Sequence, residues 1–265
     1  PLGRQWELRE HVTELVRLVR HMLLRVAQRR NRPCLLAAKV PRNLKGCRID
    51  GFDVERWCRE NLVDILTLGS RSIDVDLAAF RQITAGQHIK LQPCFDDHHT
   101  TDGYRYPPIE VLRGTFANWW QQGADSVATF NWSHAPPEVC RAVGAQPGPP
   151  VHRQAYREIG SLQTLAGEDK TFVVERRGGY PWAEGYFNRN AGAPLPLPLV
   201  RGSACAALRV RISDDLARNA PRLKRLVIRA VLFGAADDEQ VEITFNGAGT
   251  ALLVRDPAWK DPQIF

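Results

Sequence analysis

The chain has 265 residues, of which 44% are hydrophobic and 25% are charged, a balance typical of a globular protein with one large or two medium-sized domains. Its formal net charge of +7 permits nucleic-acid binding. However, the basic residues are interleaved with acids along most of the chain, as on a solvated surface, so no nucleic-acid partner is expected. No apolar stretch approaches the roughly 18 residues that a spanning helix needs, so no membrane span is expected.

The first 150 residues show a repeating pattern. Apolar residues spaced by three and four predict a long amphipathic helix over residues 6–30. Short, wholly apolar runs predict strands at 34–40, 63–69, 89–95 and 126–132. Helical patterns follow these strands at 53–61, 74–86, 107–124 and 136–144. Apolar strands alternating with amphipathic helices predict a parallel sheet covered on both faces.

The pattern changes after the Gly- and Pro-rich segment 144–150. Alternation of apolar and polar residues, as in "LRVRI" and "VEITF", predicts strands with one buried and one wet face. Apart from a turn at 215–221, no helix is predicted here. We therefore predict an α/β domain over 1–150 and an antiparallel β-sandwich over 151–265. The segments predicted to be its strands are 170–177, 204–215, 223–234 and 239–247.

Four βα units fit either a doubly wound sheet or half of a (β/α)8 barrel. The chain has neither a G-x-G-x-x-G turn nor a P-loop, so a nucleotide cofactor is unsupported and no cofactor is expected. The loops that follow the strands are long and polar, including "PRNLKGCRIDGF" and "DDHHTTDGYRYPP". Because such loops build the active site of a barrel, they favour the barrel.

Several ordered motifs carry a resemblance to a known family. "AAKVP", "GFDVERWCRENLVDILTLGS", "QPCFDD" and "SVATFNW" follow one another along the chain. In this order they resemble the second half of the barrel in glycosyl-hydrolase-like proteins of the family-10-like type. The resemblance implies that the predicted strands are barrel strands five to eight, that the helix at 6–30 is the fourth barrel helix, and that an accessory β-sandwich follows. The chain is then expected to be a fragment that lacks the first four units.

This resemblance implies hydrolysis of O-glycosidic bonds in a carbohydrate. Such hydrolysis uses two carboxyl groups that face the scissile bond, and in barrels of this type they project from the ends of strands four and seven. The predicted catalytic carboxylates are therefore Asp96 and Asp97, at the end of strand seven. Their partner on strand four would lie upstream, and the fragment alone is expected to be inactive. Related barrel enzymes carry Glu where this chain has Asp, and Asp96 as a loop cap or an Arg partner remains an alternative.

Other candidates follow from position at the strand ends. Trp132 is predicted to stack on a sugar ring, with core packing as the alternative, and Asn131 to hydrogen-bond sugar hydroxyls. Lys39 is predicted to point into the cleft, with a solvated or ion-paired side chain as the alternative. The complete set of predicted substrate-binding residues is Lys39, His98, His99, Tyr104, Tyr106, Asn131 and Trp132.

The cluster Asp96-Asp97-His98-His99 also invites a metal site. Successive side chains diverge in an extended loop, so adjacent histidines rarely reach one ion. No H-x-x-x-H or H-x-E spacing lies nearby, and we expect no metal. Two alternative functions stay open, a non-catalytic carbohydrate-binding or structural protein and a metal-dependent hydrolase on the same barrel. The six widely spaced cysteines are predicted to be free, buried thiols.

Overall fold

A computed structural model describes residues 2–69, 72–96, 98–99, 104–105, 107–130, 132, 137–142, 150–176, 193–202, 205–236, 239–249, 254–256 and 258. The helices of this part of the chain are α1 (Arg9–Arg30), α2 (Leu44–Ile49), α3 (Val54–Arg59), α4 (Leu77–Ile83), α5 (Ile109–Gln121), α6 (Pro137–Ala142), α7 (Pro150–Glu158), α8 (Leu162–Leu165) and α9 (Leu216–Asn219), followed by a 3₁₀ helix at Ala220–Arg222. The strands are β1 (Ala37–Val40), β2 (Ile65–Leu68), β3 (Lys90–Asp96), β4 (His98–His99), β5 (Tyr104–Arg105), β6 (Ala128–Phe130), β7 (Thr244–Phe245) and β8 (Ala248–Gly249).

Side-chain caps place the starts of the short helices. The side chains of Asn43, Asp53 and Asp76 accept hydrogen bonds from backbone N–H groups three residues on, at the starts of α2, α3 and α4. These bonds satisfy donors that have no partner within the helix. α1 ends at Asn31, which adopts the left-handed conformation with φ 48° and closes the helix with backbone bonds to the preceding turn.

A parallel four-stranded sheet forms the centre of the α/β part, in the order β1-β2-β3-β6. All three neighbouring pairs are parallel, with Ala37 opposite Ile65, Ile65 opposite Lys90, and Cys94 opposite Ala128. The strands are in sequence order, so each βα crossover moves one position in the same direction. The predicted parallel sheet and its alternating helices are confirmed, with element ends displaced by at most three residues.

The helices α1, α3, α4 and α5 pack on one face of this sheet. Their apolar residues share a buried cluster with alternate strand residues, namely Val40, Leu66, Leu68, Leu91 and Phe95. The residues between these belong to the other face because side chains alternate along a strand. On that face Lys39 is exposed, and Thr67 and Gln92 are half-buried. Farther along β3 on this face, Cys94 and Asp96 are buried. The described helices therefore cover one face of the sheet, and the other, which we call the open face, is only partly covered.

Helix α2 lies inside the segment that we predicted as a long polar loop, residues 41–52. The buried Gly46 and Cys47 of this helix face the protein, and Asn43 caps its start. Six residues without a regular apolar repeat are too short for a periodic signal, so the sequence pattern did not reveal it. The loop after β1 is consequently a structured part of the sheet edge.

Residues on both sides of the predicted boundary at 150 share one core. α7 and α8 pack against α5, and Ala155, Ile159 and Leu165 belong to the same buried cluster as the sheet. These two helices were not predicted. Among the described residues beyond 176, the strands are β7 and β8, which pair as an antiparallel hairpin. The turn at 215–221 is confirmed as α9 and the following 3₁₀ helix.

All six cysteines are free, as predicted. Cys47, Cys58, Cys94 and Cys140 are buried, whereas Cys34 is half-buried and Cys205 is exposed. Burial raises the pKa of the Cys47 thiol strongly and that of Cys58 to about 12. These buried thiols stay protonated at neutral pH and pack as small apolar side chains.

Candidate functional site

A row of polar side chains crosses the open face of the sheet. Lys39, Thr67 and Gln92 lie side by side on β1, β2 and β3. The Thr67 hydroxyl donates to Gln92 Oε1 over 3.0 Å, and Gln92 Nε2 donates to Ser126 Oγ over 3.1 Å. The row therefore joins the strands by side-chain hydrogen bonds as well as by the backbone ladder, and it presents amide and hydroxyl groups on this face.

Asp96 stands on the same face, at the carboxyl end of β3. It lies four residues beyond Gln92, opposite Phe130 of β6, and its exposed fraction is 0%. Burial, the largest cause, raises the pKa of the neighbouring Cys94 thiol to about 11; the Lys39 charge opposes this rise and the Asp96 charge adds to it. The sheet thus brings a carboxyl group and an ammonium group close enough to one thiol for both charges to act on it.

The Lys39 side chain reaches across the sheet to Phe130. Its Nζ lies 3.2 Å from the centre of the Phe130 ring, a cation–π contact. In a flat sheet their Cα atoms would be separated by about 14 Å across the strands and about 13 Å along them. That separation is too large for this contact. The sheet must therefore curl around its open face, which makes that face concave.

The loop after β3 begins with a small hairpin. β4 pairs antiparallel with β5, so that His98 stands opposite Arg105 and His99 opposite Tyr104. The backbone of three predicted substrate-binding residues, His98, His99 and Tyr104, is therefore placed just beyond Asp96. The predicted site residues Asp97, Tyr106 and Asn131 lie outside the described residues.

Trp132 lies on the helix-covered side of the sheet. It is 8% exposed and packs edge-to-face against Phe95 and Phe116, with ring centres 6.3 and 6.2 Å apart. The buried His152 of α7 stacks on its indole at 4.5 Å, with 10° between the planes. This placement favours the packing alternative, because His152 already covers one face of the indole. Trp119 likewise packs in the core, and its indole N–H donates to the Ile73 carbonyl over 2.8 Å.

A buried ion pair at the sheet edge escaped the sequence analysis. Arg42, just after β1, donates to Glu175, whose Oε1 also accepts from the Ile73 N–H over 2.9 Å. Burial raises the pKa of Glu175 to about 7, although Arg42 and the Ile73 N–H favour the ionised form. Both carboxylate oxygens have protein partners, which indicates a structural role. The sequence signal was a lone acid ending the apolar run "TFVVE".

No protein-family model matches the chain, and no curated protein matches it. No group of three or more His, Cys, Asp or Glu residues able to hold a metal ion occurs in the part of the chain that the structure describes. In the same part, no helix combines the length and apolar character needed to cross a membrane. Expectations about nucleic acid and carbohydrate stay predictions.

Proposed function

We propose that this chain is the second half of a (β/α)8 barrel of a glycoside hydrolase, followed by an accessory β-sandwich, and that Asp96 is one of its two catalytic carboxyl groups. The buried position of Asp96 at the carboxyl end of a central parallel strand carries this proposal. Active sites of such barrels lie at this end of the strands.

The topology supports a barrel over a doubly wound sheet. Right-handed crossovers that always step in one direction place all their helices on one face. A doubly wound sheet instead reverses its strand order at a switch point and carries helices on both faces. The order β1-β2-β3-β6 has no reversal, and the α1, α3, α4 and α5 helices share one face. In this proposal the strands are barrel strands five to eight.

The concave face supports the same proposal. The contact between Lys39 and Phe130 draws the two outer strands toward each other over the polar row. In a closed barrel this face points inward, and Asp96 faces the mouth of the barrel. The amide of Gln92 and the hydroxyl of Thr67 supply hydrogen-bonding groups below it.

Asp96 would work with a second carboxyl group. Hydrolysis of a glycoside needs one carboxyl to protonate the leaving oxygen and another to attack the sugar or activate water. The resemblance assigns the second group to barrel strand four, which would pair with the free edge of β1. We therefore place the scissile bond over the concave face, between that strand and β3.

One observation favours a non-catalytic carbohydrate-binding protein as the second candidate. Asp96 is the only carboxylate that the described strands β1, β2, β3 and β6 place on the open face. A binder needs hydrogen-bonding groups and apolar surface but no carboxylate pair. Binding without turnover in the full-length protein would select this candidate.

Substitution of Asp96 tests the proposal. In the full-length protein, Asp96→Asn should lower the turnover of a glycoside by about a hundred- to ten-thousandfold, because the amide neither donates an acidic proton nor attacks the sugar. Reducing-end release from an oligosaccharide panel measures turnover, and circular dichroism with thermal melting confirms folding. Asp74→Asn is the matched control, since Asp74 is an exposed acid in the loop after β2, at the same end of the sheet. A folded Asp96→Asn protein with wild-type turnover would remove Asp96 from the reaction.

A further inference from the structure

A second concave feature lies beside the edge strand β1. The chain before α1 and the helix α2 line a cavity of about 360 Å³ that is open to solvent. This volume falls within the range of small-ligand sites in proteins. Its lining residues are Gly3, Gln5, Trp6, Lys45, Arg48 and Ile49, which we call the Trp6 pocket.

The Trp6 pocket belongs to the carboxyl end of the sheet. α2 begins four residues after β1 ends, on the side of the sheet where Asp96 ends β3. Gly51, just after α2, allows the N-terminal segment to approach closely, because a Cβ at this position would lie 2.6 Å from the Gln5 carbonyl oxygen. Gly51 also has φ +78°, a conformation that side chains disfavour. The wall of the pocket is thus fixed against the sheet edge.

The pocket carries two cations without a carboxylate partner. Within the described residues, neither Lys45 nor Arg48 forms an ion pair, although both are exposed. By contrast, Arg17 on α1 pairs with Glu10, Glu14 and Glu60. Unpaired cations that converge on one cavity leave a positive potential there, which favours an anionic ligand.

The indole of Trp6 positions this charge. The Arg48 guanidinium lies 4.5 Å from the centre of the Trp6 ring, and the Arg9 guanidinium lies 4.6 Å from it. Cation–π contacts of this kind restrain an arginine that has no carboxylate to hold it. Trp6 and Ile49 also add apolar surface. The pocket therefore joins a planar aromatic group, a restrained guanidinium and an exposed ammonium.

We propose that the Trp6 pocket binds an acidic sugar residue, one bearing a carboxylate or a sulfate, as a subsite of the saccharide-binding face. Arg48 suits both anions because its planar fork pairs with two oxygens at once. Lys45 adds a second charge, and Ile49 adds apolar surface beside the restrained guanidinium. The saccharide nature of the ligand rests on the proposed function; the anionic nature rests on the pocket alone.

Binding of matched saccharides tests this inference. The full chain is titrated by calorimetry with an oligogalacturonate hexamer, a heparin-derived hexasaccharide and neutral cellohexaose. One or both acidic oligosaccharides should bind at least about tenfold more tightly than cellohexaose. The double variant Lys45→Gln/Arg48→Gln should lose that preference, since each charge-assisted contact contributes roughly a tenfold factor. Arg48→Lys should retain part of it.

The control variant is Arg25→Gln/Arg29→Gln, which removes the same charge from exposed positions of α1. It should bind like the wild type. An equal loss of acidic-saccharide affinity in both double variants would mean that net charge alone causes the preference, which would overturn the inference. Equal affinity for neutral and acidic hexamers would overturn it as well, and so would a failure of both acidic hexamers to bind. Inorganic sulfate binding as tightly as the oligosaccharides would also overturn it. The turnover of the Asp96→Asn variant tests the proposed function independently of the Trp6 pocket. Failure of this inference can therefore be distinguished from failure of the proposed function.

Discussion

At the scale of single residues, the most consequential side chain is Glu175. It is 2% exposed, and it joins Arg42 to the backbone of Ile73 at the edge of the sheet. Taking a carboxylate out of water costs several kcal/mol unless partners offset it. Here the nearby Asp74 charge adds to the cost, and Arg42 and the Ile73 N–H reduce it. Burial is the largest of these effects, so the pKa of Glu175 is raised in the folded chain.

This raised pKa predicts a pH-dependent stability. The folded chain holds the Glu175 proton up to a pKa of about 7, whereas the unfolded chain releases it near the ordinary glutamate pKa of 4.5. The stabilisation that comes from the bound Glu175 proton is thus fully present below pH 4.5 and is lost as the pH rises to about 7. The loss should be on the order of 3 kcal/mol. Urea unfolding between pH 4.5 and 8 measures it.

The control for that experiment is Glu175→Gln, which cannot titrate. The difference in unfolding free energy between wild type and variant cancels the contribution of all other groups. It should change with pH between 4.5 and 7 and stay constant above. A difference that is flat across this window would mean that Glu175 titrates in the folded chain as it does in the unfolded one.

At the scale of elements, α5 joins the sheet to the segment that follows it. Its Phe116 and Trp119 pack in the sheet core, and its Arg113 pairs with Glu158 over 2.7 Å and with Glu168 over 2.9 Å. The Trp120 indole donates to the Ile159 carbonyl over 2.8 Å. Through these contacts α5 packs against the sheet on one side and against residues 150–176 on the other.

Gly114 explains how close this docking is. A Cβ there would lie 2.3 Å from the Thr171 carbonyl oxygen. Gly114→Ala should therefore lower the free energy of unfolding by about 2 kcal/mol, as overpacking against backbone does, although alanine favours a helix. Chemical denaturation measures the change. The matched control is Gly160→Ala, where a Cβ would meet nothing within 4 Å. Equal stability of both variants would contradict the close approach.

At the scale of the whole molecule, the α/β part extends beyond the boundary that we predicted at residue 150. Ile159 and Leu165 are buried in the common core, each contributing roughly 2 kcal/mol. Glu175 adds a buried link from still further along the chain to the sheet edge. Ile159 and Leu165 together supply about 4 kcal/mol, close to the lower limit of the net stability of a typical domain, about 5 kcal/mol.

Two truncated chains test this extent. A chain ending at residue 176 should keep the cooperative melting transition of the α/β part. One ending at residue 149 should lose it, because Arg113 and Trp120 of α5 would lose the partners that residues 150–176 supply. Thermal melting followed by circular dichroism distinguishes them. If both truncated chains melt at the same temperature, residues 150–176 are dispensable and the boundary lies at 150.

Apolar periodicity was sufficient to predict most elements of the first half. The helix over α1, the four strands and the helices between them follow from apolar spacing, because burial on one side imposes a period on local sequence. The position of Asp96 at a strand end followed in the same way. The missed elements carry little such signal: α2 and α8 are short, and α7 has few apolar residues, so their formation depends on the surface that receives them.

The sequence by itself determined the parallel α/β character, the approximate strand ends and the free thiols, since these depend on residue type and local spacing. Only the tertiary structure decided which face of the sheet is open, that Lys39 meets Phe130, that Trp132 packs against His152, and that Arg42 meets Glu175 across 133 positions. The Trp6 pocket likewise depends on two segments about 40 residues apart. Such contacts depend on how the chain closes in space, and residue spacing carries no record of that closure.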